Sequence, residues 1–140
     1  MQSKEKNNLI IARLFPGDDV YDGLKEICRE HKVKTAAIVS GIGQLGRFSL
    51  GFFKEKGDYL PQEFTTPHEL LSLAGIVSEE KGEYDFHLHA VLGDAQKAVI
   101  GGHFLAGKVS VTAEIVLQKT TLKVKRATEE ATGLKGLFLE

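Results

Sequence analysis

Two hydrophobic periodicities succeed one another along this chain. Asn8 to Leu14 (NLIIARL) is a short, apolar, β-prone run, and Pro16-Gly17-Asp18 behind it supplies a turn and then a helix-starting carboxylate. From Asp19 to His31 the apolar residues Val20, Leu24, Ile27 and Cys28 recur at three- and four-residue steps, which puts them on one face of a helix. The helix is expected to end near Lys32, where basic residues meet the negative end of the macrodipole. Val33 to Ser40 (VKTAAIVS) then reads as a buried strand broken by Gly41 and Gly43.

Beyond Gly46 the pattern is period two. Arg47 to Phe52 alternates as a half-buried strand does, whereas Lys54 to Pro67, rich in charge, Gly and Pro, is expected to be a surface excursion. Glu69 to Ser78 and Tyr84 to Leu92 read as two strands of a hairpin joined by a polar turn. Gly93-Asp94 makes a further turn, Lys97 to Leu105 continues as strand interrupted at Gly101-Gly102, and Ser110 to Gln118 and Thr121 to Arg126 come next as strands. The Glu129 to Leu137 tail fits no single element. One early helix and then many strands predict an α+β fold, a compact mixed, strand-rich sheet in a single domain over residues 1–140, with residues 1–7 flexible.

Composition narrows the class. The chain has 140 residues, 42% of them hydrophobic and 26% charged, enough apolar material for one core without disulfides. Its single cysteine, Cys28, sits on the apolar helix face and is read as a small buried hydrophobe, which fits a reducing, cytoplasmic setting. Met1 to Asn8 lacks the pattern of a signal peptide, and no apolar run approaches the roughly 18 residues of a membrane span, so no membrane partner is expected. A formal net charge of -1 lacks the global footprint of a dedicated nucleic-acid binder.

The histidines change the picture. Residues i and i+2 of a strand share a face about 6.5 Å apart, so His87 and His89 can aim two imidazoles at one point. His103 returns on the next strand. With Gly93-Asp94 as the turn, position 103 falls opposite Tyr84 to Phe86, and a bulge at Gly101-Gly102 would close the remaining gap. Three imidazoles with a fourth position left to water are the ligand set of an open, catalytic-type divalent-metal site. Zinc is the first choice, although imidazole also suits nickel, iron and copper. The bland alternative is two histidines on one sheet face with unrelated polar partners. His31 at a helix C-terminus and His68 at a loop-strand junction, where exposure accounts for it, are not read as ligands.

Other motifs weigh less. Gly41-Ile42-Gly43-Gln44-Leu45-Gly46 matches G-x-G-x-x-G, but the next residues, Arg47 to Phe53, alternate like a strand, so no helix N-terminus exists to cradle a pyrophosphate. These glycines are read as permitting a tight strand-to-strand connection. Arg13 either binds an anion or snorkels to solvent. Glu69 and Glu114 are candidates for a general base or fourth metal ligand, against the plainer reading of solvent-facing strand residues. Lys119, Lys123, Lys125 and Arg126 form a basic stretch, read as a solvated edge strand before a DNA groove.

Taken in order, Arg13-Leu14-Phe15-Pro16-Gly17-Asp18-Asp19, Ser40-Gly41-Ile42-Gly43, Glu69 to Gly75, His87-Leu88-His89 and Gly101-Gly102-His103 resemble the plants-and-prokaryotes conserved domain family in its short stand-alone form. The resemblance covers nearly the whole chain. It implies a homotrimer whose clustered histidines hold a zinc-like ion. Plant relatives couple the domain to AT-hooks, and prokaryotic members are called DNA-binding by that association. This chain has no Arg-Gly-Arg-Pro core, so the minor-groove mechanism lacks its residues. A remoter similarity points to acetolactate decarboxylases, which also present a His-x-His and a later His to zinc; their other catalytic residues have no match here. Three hypotheses result: a trimeric metal site for a small anionic or carbonyl-bearing ligand, a DNA- or protein-partner module, and a metal-dependent decarboxylase-like lyase.

Overall fold

In the computed structural model, which describes residues 1–140, strands run longer than the sequence pattern predicts. They are β1 (Gln2–Lys6), β2 (Leu9–Leu14), β3 (Thr35–Glu55), β4 (Asp58–Phe64), β5 (His68–Glu80), β6 (Glu83–Gly93), β7 (Val99–Thr120), β8 (Val124–Thr128) and β9 (Lys135–Leu139), with one helix, α1 (Val20–Glu30). Strand accounts for 69% of the chain and helix for 8%, so the fold is mostly β with a short helix and not a balanced α+β mixture. Seven strands form one antiparallel sheet in the order β1-β2-β7-β6-β5-β3-β4, and β3 pairs with β7 as well. That extra pairing closes β7, β6, β5 and β3 into a ring around the core. β8 and β9 form a separate two-stranded hairpin.

The helix forms where expected. Asp19 caps it, its carboxylate accepting from the backbone N–H groups of Tyr21 and Asp22, and Val20, Leu24, Ile27 and Cys28 are all buried. Burial of such side chains stabilises the fold by about 1.5–3 kcal/mol each for the larger ones. Together with Phe48, Leu73, Leu88, Phe104 and Ile115 from the closed sheet they belong to one continuous core.

Four expectations change. Gly41 and Gly43 do not end a strand, because β3 runs through them with register shifts between Ile38 and Ser40, Gly43 and Leu45, and Leu45 and Arg47. Gly43 has φ +151, and a Cβ there would overlap the Thr112 carbonyl oxygen on β7, so the glycine permits a close pass of two strands and not a turn. Lys54 to Pro67, expected as a surface excursion, holds the end of β3 and the whole edge strand β4, paired from Phe48↔Phe64 to Glu55↔Asp58; Pro61 is tolerated at a sheet edge. Gln2–Lys6, in the stretch expected to be flexible, pairs with β2 along its whole length. The tail after Glu129 folds back as β9 on β8, from Thr128↔Lys135 to Val124↔Leu139. No helix of the structure is long and apolar enough to cross a membrane.

Candidate metal centre

The period of β6 puts His87 and His89 on one face, and β7 supplies His103. The pairing is in register from Gly93↔Val99 to His89↔His103, so His103 lies directly opposite His89. The loop between these strands is therefore Asp94 to Ala98, not the Gly93-Asp94 turn. The Asp94 carboxylate accepts from the backbone N–H groups of Gln96 and Ala98, both at 2.9 Å. The Asp94 N–H donates to the Ala98 carbonyl at 3.0 Å, and Lys97 adopts φ +72. The longer loop moves His103 from the expected level of Tyr84 to Phe86 to that of His89, and Gly101 and Gly102 pair regularly with Val91 and Ala90. No bulge is needed there.

The three rings form a nearly regular triangle, with centroid separations of 5.2, 5.3 and 5.3 Å. Their nearest ring nitrogens all lie within 4.8 Å of one another, and His87 Nε2 is 3.2 Å from His89 Nε2. A tetrahedral zinc ion, bound at about 2.0–2.1 Å, keeps its imidazole nitrogens about 3.3–3.4 Å apart. The donor set fits a small divalent cation. Burial holds the His87 and His103 imidazoles below their usual pKa; Arg126 and then His89 add to the effect at His87, and His87 and His89 add to it at His103. The shift favours neutral imidazoles, the form that can donate a lone pair to a metal.

Around the triangle is a cavity of about 620 Å³. Tyr59 on β4 presents its ring edge-on to His103, with centroids 6.1 Å apart at 89°. It fits because Gly51, paired with His103 across β3 and β7, carries no side chain where the Tyr59 ring lies. Burial raises the Tyr59 phenol above its usual pKa, so it stays a hydrogen-bond donor through the neutral range. Asp85, Arg126 and Lys135 also line the cavity. Sequence reasoning missed Tyr59 and Asp85 in this role and read Arg126 as part of a solvated edge; only the fold brings them to the histidines.

The remaining candidates are elsewhere. Arg13 Nε donates to Thr112 Oγ1 at 3.1 Å, and its guanidinium lies 5.1 Å over the Phe15 ring. Glu69 accepts from Gln44 Nε2 at 2.7 Å, and Glu114 pairs in register with Arg13; neither lines the histidine cavity. His31 caps α1, donor or acceptor to Ser3 Oγ at 2.8 Å and 3.3 Å from Glu5. His68, expected to be exposed, is buried edge-on against Phe48 and Phe64, with Nδ1 2.9 Å from the Thr66 carbonyl. The basic stretch is dispersed, since Lys119 Nζ donates to Glu5 and to the His31 carbonyl while Arg126 faces the histidine cavity.

Comparison with known proteins gives the family. A model of the Plants and Prokaryotes Conserved (PCC) domain matches residues 1–121. The bifunctional protein GlmU of Synechococcus sp. (strain JA-2-3B'a(2-13)) is 31% identical over 130 residues, 91% of this chain and 20% of that protein. The chain thus spans about a fifth of the length of the curated relatives it matches. Among solved structures, the metal-containing protein of Archaeoglobus fulgidus superposes with a TM-score of 0.84 at 30% identity, over 96% of this chain and 95% of that one. A candidate DNA-binding protein of Bacteroides thetaiotaomicron gives a TM-score of 0.90 at 24% identity over 98% and 96%, a likeness of fold alone. A Staphylococcus aureus protein similar to alpha-acetolactate decarboxylase shares the fold more loosely, with a TM-score of 0.57 at 15% identity over 86% and 54%.

Proposed function

The chain belongs to the Plants and Prokaryotes Conserved domain family, and from that premise we propose that His87, His89 and His103 hold a divalent metal, zinc first, at which a small anionic or carbonyl-bearing molecule binds. The observation that carries the reading is the convergence of three imidazoles, two of them biased toward the neutral form, with nitrogens within 4.8 Å of one another. The metal-containing relative from Archaeoglobus fulgidus adds support. When bound, the ion supplies Lewis acidity toward a ligand oxygen. The chain's own contribution is to fix the imidazoles on two paired strands and to offer the Tyr59 hydroxyl as a donor beside them, with Phe52 and Phe53 as apolar surface at the cavity wall.

We also propose a homotrimer in a reducing cytoplasm. Ile11, Val39, Ile42 and Val111 are 58%, 55%, 50% and 55% exposed on the adjoining strands β2, β3 and β7, apolar surface that self-association would cover. The buried free thiol of Cys28 fits a reducing setting.

The test of the metal site is elemental analysis of protein purified without a histidine tag, wild type against His89→Ala. About one metal per chain, lost in the variant, is the expected result. No metal in the wild type, even after zinc is supplied and the excess removed, would return the histidines to a structural role.

A further inference from the structure

The histidine cavity has a wall that the family-matched residues 1–121 do not include: the β8–β9 hairpin, which contributes Arg126, Leu134 and Lys135. The hairpin is tied to the rest of the molecule at two points. Lys135 Nζ donates to Asp85 Oδ2 at 2.7 Å, next to the histidines on β6, and Lys56 Nζ at the β3–β4 turn donates to the Glu130 carbonyl at 2.6 Å. These contacts hold β8 against the cavity.

Charge within the cavity is unbalanced. Asp85 is the one acidic residue of the lining, and Lys135 already occupies it. Arg126 is left without an anionic partner. Its Nε is shielded from solvent and meets no acceptor in the protein, an arrangement that costs free energy unless something else accepts the bond. A guanidinium presents its donors as a planar fork matched to a carboxylate or phosphoryl group. We infer that Arg126 is the anion-recognition residue of this cavity, binding the oxyanion of a small molecule whose other end is held at the histidine site. The inference deepens the metal-site reading and rests on it. It narrows the ligand class to small oxyanions, such as 2-hydroxy acids or phosphorylated molecules, and assigns the C-terminal hairpin to the binding site.

The experiment uses full-length protein loaded with zinc and freed of excess. Zinc is counted on wild type, Arg126→Ala, Arg126→Gln and Arg126→Lys, and each is titrated calorimetrically with 2-hydroxyisobutyrate and with inorganic phosphate. Zinc is expected to remain at one per chain in all four proteins. Binding of at least one probe should weaken by about ten- to a hundredfold in the Ala and Gln variants, the loss expected for a charge-assisted hydrogen bond, and by less in the Lys variant. The preferred probe identifies the oxyanion. Zinc retained with unchanged affinity in Arg126→Gln, or no binding of either probe to the wild type, overturns the role of Arg126 and leaves the metal site standing. A wild type that takes up no zinc overturns both.

Discussion

Gly75 gives the sharpest test of how the fold supports the histidines. It sits on β5 opposite Leu88, with φ +155, and a Cβ built there would overlap the carbonyl oxygen of His87 and crowd the Leu88 Cα. Gly75→Ala therefore asks two things of the structure at once. The backbone must leave a conformation that L-residues rarely hold, at about 1–3 kcal/mol, and β5 and β6 must part where they pair, loosening one or two ladder hydrogen bonds worth about 0.5–1.5 kcal/mol each. The sum is about 1.5–6 kcal/mol of lost stability. The strand that must move carries His87, so zinc affinity should fall with stability. Gly82 is the control: its φ is +88 but a Cβ there meets open space, so Gly82→Ala should cost only about 1 kcal/mol and leave zinc binding alone. Urea denaturation of the metal-free proteins gives the stabilities, and competition with a chromogenic chelator gives the zinc affinities. A Gly75→Ala protein as stable as the Gly82→Ala protein, with wild-type zinc affinity, would refute the claim that β5 sets the position of His87.

The same geometry gives two further outcomes. The pKa values of His87 and His103 lie below the ordinary value of about 6.5, so as pH falls past 6.5 the unfolded chain takes up protons that these two folded imidazoles refuse, and their contribution to stability falls with pH. Metal-free wild type should therefore lose stability between about pH 7 and 5 more steeply than the His87→Ala/His103→Ala double variant; equal slopes in urea would contradict the shifts. If Ile42 and Val111 are covered by self-association, Val111→Glu combined with Ile42→Glu should convert a mass near three chains, measured by light scattering, into a single chain while the far-ultraviolet circular dichroism stays unchanged. An unaltered mass would remove this face from the interface.

The features legible in the sequence are those that short-range spacing determines. Asp19 and the four apolar residues behind it specify α1 through capping and one helical face, and the structure forms it there. His87 and His89 share a strand face because side chains alternate, whatever the strand pairs with. The position of His103 is a longer-range matter, because its level against His89 depends on the loop between the two strands. That loop is set by a single carboxylate, Asp94, accepting two backbone N–H groups, and by Lys97 in a left-handed conformation. Nothing in Gly93-Asp94-Ala95-Gln96-Lys97 distinguishes this arrangement from a two-residue turn, since Gly-Asp serves both.

The walls of the site are hard to read from the chain for a different reason. Lys54 to Pro67 carries a loop's composition and still forms β4, because an edge strand needs only one partner and solvates its other side. Tyr59 matters there only because Gly51 across the pair leaves room for it. In the sequence Arg126 is one of several edge-strand lysines and arginines, and what sets it apart is nonlocal: the hairpin docks on β6 and the β3–β4 turn, and the Lys135–Asp85 pair leaves the guanidinium without a carboxylate. Metal-type residues announce themselves by rarity and spacing, whereas a free guanidinium such as that of Arg126 is defined by which charges around it are already paired. Only the folded arrangement settles that pairing, and for this reason the histidines could be grouped from the chain while the unpaired Arg126 beside them could not.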